Sequence, residues 1–141
     1  MKELKTEIVI NTSAENVWQK LTDFKSYSNW NPFIISIEGE LKLGNELETK
    51  MLNSGKTMTF KPRITKLEKG VAFEWLGTAF MGGFKGRHYF ILESLGENQC
   101  KLVHGEKFSG WLSGLILKKI GEETLENFQA MNQALKQILT P

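Results

Sequence analysis

The stretch from residue 115 to residue 139 constrains this chain more than any other. Leu117, Gly121, Thr124, Phe128, Met131, Leu135 and Ile138 recur there at intervals of three and four, which aligns them along one side of an α-helix. Glu122, Glu123, Glu126, Asn127, Gln133 and Lys136 fall mostly on the other side. At 1.5 Å per residue such a helix runs roughly 37 Å. An apolar stripe of that length needs an equally long apolar surface to cover it, and no other segment reads as a helix of similar size. The partner must be a sheet.

Seven upstream segments supply it. Residues 4–10, 33–39, 46–52, 56–66, 70–76, 84–93 and 100–108 read as strands, most of them alternating apolar and polar side chains. Asn53-Ser54-Gly55 reads as a hairpin turn. Pro62 falls on the apolar parity of 56–66 and has no N–H to donate, which favours an edge or a bulge there. Between the first two strands, Thr12 and Glu15 have capping-box spacing, followed by Val17, Trp18 and Leu21 at helical intervals. Residues 23–30 read as a second short helix or turn, closed by Asn31-Pro32. Short connections favour an antiparallel meander with one covered face and one solvated face. The expected fold is α+β: a curved seven-stranded antiparallel sheet packed around a long C-terminal helix, with two short N-terminal helices. All 141 residues are expected to form one domain.

A chain this long can enclose either a solid core or a core with a cavity. The 18 basic and 16 acidic residues give a net charge of +2, and no basic run resembles a nucleic-acid tail. One cysteine excludes an internal disulfide and a Cys-based zinc cluster. The opening MKELKTEIVI lacks a signal peptide's apolar core, and no apolar run reaches membrane-spanning length. A cytoplasmic monomer or weak homodimer without metal or cofactor is the expectation.

The polar residues on the covered face carry the functional information. If strands 84–93 and 100–108 pair about a turn centred on Glu97, Leu92 opposes Leu102, Phe90 opposes His104, and His88 opposes Glu106. A one-residue slip would put the two apolar parities on opposite faces. His88 and Glu106 then form an inward pair, readable as a satisfied core contact, as polar anchors in an apolar pocket, or as a proton-transfer pair. A metal site built from His88, His104 and Glu106 lacks a ligand-spacing signature. Trp18, Phe60, Phe73, Trp75, Phe84, Phe90, Phe108, Phe128 and Met131 either fill the core or line a void beside that pair. Two glycine-rich loops, at 77–86 with Phe80 and Met81 and at 110–114 with Trp111 and Leu112, read as a portal or as tight packing turns. No G-x-S-x-G, H-E-x-x-H or phosphate-loop motif occurs.

Several strings, in order along essentially the whole chain, resemble a known superfamily. They are SAENVW at 13–18, DF at 23–24, YSNWNPF at 27–33, FKGRHYF at 84–90 and HGEKFSG at 104–110. The set is similar to the SRPBCC superfamily, the helix-grip fold of START lipid-transfer domains and the major birch-pollen-allergen group, and most of all to its bacterial polyketide cyclase-like branch. The resemblance implies a sheet gripping the C-terminal helix with a hydrophobic cavity between them, able to take a lipid, sterol, polyketide or other apolar small molecule. It implies no particular reaction. Three readings follow. The first is a non-catalytic carrier or sensor whose aromatic residues line the pocket while His88 and Glu106 orient a polar end. The second is a cyclase- or dehydratase-like enzyme using those two residues for proton transfer. The third is an interaction module related to activators of the Hsp90 chaperone.

Overall fold

The computed structural model describes residues 2–141. Its longest hairpin joins β7 (Phe84–Gly96) to β8 (Gln99–Ser109), with His88 opposite Glu106, Phe90 opposite His104 and Leu92 opposite Leu102. This is the expected register, and the parity argument explains it: Phe90, Leu92, Cys100, Leu102 and Phe108 are all buried. β1 (Lys2–Ile10) pairs antiparallel with β8 on its other side, placing Thr6 beside His104. Beyond β7 lie β6 (Ala72–Ala79) and then β5 (Arg63–Glu68), giving a five-stranded sheet in the order β1-β8-β7-β6-β5.

Among the described residues, the expected single sheet of seven strands is instead eight strands in two sheets. β2 (Ile34–Glu38), β3 (Glu48–Asn53) and β4 (Lys56–Phe60) form a separate three-stranded sheet. The division falls at Pro62, where the segment read as one strand breaks into β4 and β5. Without an N–H, Pro62 cannot continue a two-sided ladder, but its carbonyl still accepts from Leu47 N at 2.8 Å. An isolated bridge between Glu46 and Arg63 links the two sheets there. The β3–β4 turn has Ser54 at φ 52° and Gly55 at φ 74°, the two left-handed residues that a tight hairpin requires.

Helix α3 (Ser113–Leu139) begins two residues earlier than the periodicity predicts. Its buried residues are Gly121, Thr124, Phe128, Met131, Asn132 and Leu135, whereas Ile138 is exposed. The N-terminal helices are α1 (Ala14–Thr22) and α2 (Tyr27–Trp30), with a 3-10 turn at Phe24–Ser26 between them. The cap of α1 is Ser13 rather than Thr12. Ser13 Oγ accepts from Asn16 N at 3.1 Å, while Asn16 Nδ2 donates to Thr12 Oγ1 at 2.9 Å. A single residue thus separates the sequence pattern from the amide it satisfies.

Candidate active site

The inner face of the five-stranded sheet changes character along its length. At one end Phe73, Phe90, Leu92, Cys100 and Leu102 pack solidly with Ile10 and Leu135. At the other end Gly77 of β6 pairs with Gly86 of β7, so two adjacent strands offer no side chain where the sheet would otherwise meet α3. A cavity of about 390 Å³ lies over this bare patch, within the range of small-molecule sites. Phe33, Met51, Met58, Phe60, Trp75, Phe84, Phe108, Ile116 and Ile120 supply most of its wall, with Thr49, Asn53 and Thr124 as polar points. Glu106 is the one ionisable side chain among its lining residues.

Of the residues singled out from the sequence, Phe60, Trp75, Phe84, Glu106 and Phe108 stand on the cavity wall. Phe73, Phe90, Phe128 and Met131 belong to the packed core, and Trp18 packs edge-on to Phe73 at 5.7 Å between ring centres. They face inward as the strand and helix parities require, but at positions where opposing surfaces close on one another. His88 and His104 are also buried, immediately behind the wall. His104 stacks on Phe90 and Phe128, each at 4.5 Å, and His88 lies 5.1 Å from the Trp75 ring centre.

Glu106 occupies space that Gly86 vacates. A Cβ on Gly86 would sit 2.0 Å from Glu106 Oε2, so the carboxylate rests directly over that glycine. Its other oxygen lies 3.4 Å from His88 Nδ1. Behind it runs a chain of buried polar contacts. His88 Nε2 meets His104 Nε2 at 2.8 Å, and His104 Nδ1 meets Asn132 Oδ1 at 2.8 Å. Asn132 Nδ2 donates to Thr6 Oγ1 at 2.8 Å, and Thr6 Oγ1 donates to the His104 carbonyl at 2.7 Å.

Donor–acceptor accounting fixes the protons in this chain. Thr6 spends its only hydrogen on a carbonyl, so it accepts from the Asn132 amide. The Asn132 oxygen therefore faces His104 Nδ1, which must carry hydrogen. Burial, reinforced by the neighbouring His88 and opposed by the Asn132 hydrogen bond, holds His104 well below the usual histidine range. Neutral His104 then offers a bare Nε2, which accepts from His88 Nε2–H. This leaves His88 Nδ1 as that ring's only exchangeable position, and it faces Glu106. The Glu106 carboxylate thus faces the one ring nitrogen of His88 that the relay leaves unpaired, at the edge of an apolar cavity.

Asn132 and Thr6 completed this arrangement without being singled out from the sequence. Asn132 was legible in part, because it lies four residues after Phe128 and three before Leu135 on the apolar stripe of α3. Thr6 gave no signal beyond its parity on β1. Among the described residues no group of three or more His, Cys, Asp or Glu is arranged to hold a metal ion.

A family model described as Polyketide cyclase / dehydrase and lipid transport matches residues 1–139. The chain belongs to that family. A START superfamily protein from Mycobacterium smegmatis is 21% identical, with 96% of this chain and 98% of that one covered at a TM-score of 0.73. The di-domain ARO/CYC BexL from the BE-7585A biosynthetic pathway is 10% identical at a TM-score of 0.79, and the match spans all of this chain but 48% of that protein. Norcoclaurine synthase from Thalictrum flavum, in complex with dopamine and hydroxybenzaldehyde, is 13% identical over 98% of this chain and 86% of its own, with a TM-score of 0.74. At these identities the likeness establishes the fold alone. A search of curated proteins finds no significant match. Fold, family and cavity together make this a protein able to bind a hydrophobic small molecule.

Proposed function

We propose that the protein is a cyclase- or dehydratase-type enzyme acting on an apolar carbonyl compound, with Glu106 transferring the proton and His88 acting as its proton partner. The observation that carries this reading is the placement of the cavity's one ionisable group against an imidazole whose far nitrogen is committed to a buried relay. A pocket that only holds a lipid needs apolar walls. It has no use for four further polar side chains buried behind its single carboxylate, each costly to desolvate unless fully partnered.

The chemistry balances within the pair. Ionised Glu106 takes a proton from carbon α to the substrate carbonyl, and His88 Nδ1 shares that proton while the enolate forms. In cyclisation the enolate carbon bonds to a second carbonyl, and the proton returns to the new alkoxide. In dehydration the same proton joins the departing hydroxyl, which leaves as water. No external oxidant or reductant enters. Apolar walls favour the reaction by excluding water from the pair.

Proton exchange at the α-carbon of 2-tetralone, a bicyclic apolar ketone, tests the reading in deuterated buffer by NMR. The wild-type protein should accelerate exchange. Glu106→Gln should reduce the acceleration by about a hundredfold or more, with binding, read by quenching of Trp75 fluorescence, largely retained. Gly86→Ala should act in the same direction by displacing the carboxylate. No acceleration by the wild type, with binding weakened in these variants, would instead identify the pair as ligand anchors of a carrier.

A further inference from the structure

Two loops and the first turn of α3, at the open end of the cavity, hold large apolar side chains in solvent. Phe80 is 63% exposed, Met81 99%, Trp111 74% and Leu115 57%. Isolated exposed apolar residues are ordinary on protein surfaces, but a contiguous group beside a cavity calls for a partner. These residues are contiguous because the loops are tied together. Leu112 N donates to Gly83 O at 2.8 Å. A Cβ on Gly110 would lie 2.3 Å from that same carbonyl, and one on Gly83 would lie 3.0 Å from the Trp111 indole. Both glycines are therefore required for the approach. Phe80 is also part of the cavity wall, as is Ile116 beside Leu115. Phe80 and Met81 adopt φ of 53° and 55°, a left-handed conformation unfavourable for bulky residues that turns their side chains out at the loop tip.

The two loops and their flanks are rich in basic residues. Residues 77–87 and 107–120 contain Lys85, Arg87, Lys107, Lys118 and Lys119 and no aspartate or glutamate, although Arg87 is paired with Glu74 at 3.3 Å and the Glu106 carboxylate lies inside the cavity. Lys2 adds to them, since a Cβ on Gly114 at the start of α3 would lie 3.6 Å from its Nζ. Apolar and aromatic tips with a cationic collar are the composition that inserts at the headgroup boundary of an anionic bilayer. A protein partner would ordinarily need a broader complementary face, about 800 Å² on each side. The rim offers projecting tips instead.

We propose that this rim docks the protein on an anionic lipid bilayer, with the cavity mouth facing the hydrocarbon. Docking would be peripheral, because no described helix is long and apolar enough to cross a membrane. Apolar ligands could then pass between bilayer and cavity without crossing water. This inference does not depend on catalysis by Glu106, and its test uses different residues.

Co-sedimentation of the full chain with vesicles of phosphatidylcholine mixed with phosphatidylglycerol provides that test. Binding should exceed that to pure phosphatidylcholine and weaken as salt is raised. The tryptophan emission should shift to the blue on binding, and Trp111→Phe should remove that shift. Phe80→Ser combined with Met81→Glu should weaken binding about tenfold or more, with thermal melting confirming that the exposed changes leave the fold intact. Absence of binding to the mixed vesicles at low salt overturns the proposal. Binding unchanged in the double variant overturns it as well, and so does an acidic protein captured at the rim without vesicle binding.

Discussion

At the scale of single residues, the site depends on what is missing as much as on what is present. Gly86 leaves the room that the Glu106 carboxylate fills, and the hydroxyl of Thr6 determines, through Asn132, which nitrogen of His104 carries hydrogen. His104 also couples the site to stability. In the unfolded chain it takes up a proton near its ordinary value of 6.5, whereas the buried, folded residue does so only well below that. Between those two values the unfolded state binds more protons, so stability rises with pH. His104 therefore contributes its full stabilisation above about pH 6.5, and that contribution is lost as pH falls toward the folded value, by up to about 1.4 kcal/mol per unit. Urea unfolding at pH 7.5 and 5.5, as suitable points on either side of the ordinary histidine value of about 6.5, should show this loss in the wild type and a smaller one in His104→Gln. Equal losses in the two proteins would remove His104 from the account.

At the scale of elements, α3 has two halves with different jobs. From Gly121 onward it presents Thr124, Phe128, Met131, Asn132 and Leu135 to the sheets, all buried. Before Gly121 no residue of the helix is buried, its N-cap Leu112 makes no side-chain cap, and Ile116 and Ile120 face the cavity. Stability in a helix tracks buried contacts and satisfied ends. Amide hydrogen exchange should therefore be faster over 113–120 than over 121–135, and a ligand filling the cavity should slow the first half more than the second. Uniform protection along the empty protein's helix would contradict this division. The β7–β8 hairpin shows the opposite economy. Its residues from Leu92 to Phe84 run from dense core to open cavity on one unbroken ladder, so the rigid end holds the functional end in place.

At the scale of the molecule, the fold is a solid core joined to a hollow one. Phe73 is fully buried among Trp18, Phe24, Trp75 and Phe90. Phe84 is half-buried, stacks on Phe108 at 5.4 Å and otherwise faces empty space. Truncation should separate them. Phe73→Ala should cost about 3–5 kcal/mol, the usual range for a packed aromatic, and Phe84→Ala less than about 2 kcal/mol, because it enlarges an existing void. Chemical denaturation measures both, and similar costs would mean that the hollow end is as tightly packed as the solid one. A destabilised Phe84 variant that is rescued by an apolar additive would point to the same void.

Much of this arrangement was set by the sequence itself. Periodicities of two and of three to four place the strands, the long helix and the inward faces, because they reflect local backbone geometry and which side must avoid water. The matched parities of 84–93 and 100–108 determine the hairpin register, and with it the meeting of His88 and Glu106. Periodicity says which way a side chain points, but not how far away the opposing surface lies. Only the tertiary structure could split one expected sheet into two at Pro62 and leave the void over Gly77 and Gly86. Only it could divide the inward aromatics between wall and core, or bring Asn132 of the helix to His104 of the sheet. Each of those outcomes depends on distances between segments remote in the chain, which local side-chain preference does not encode.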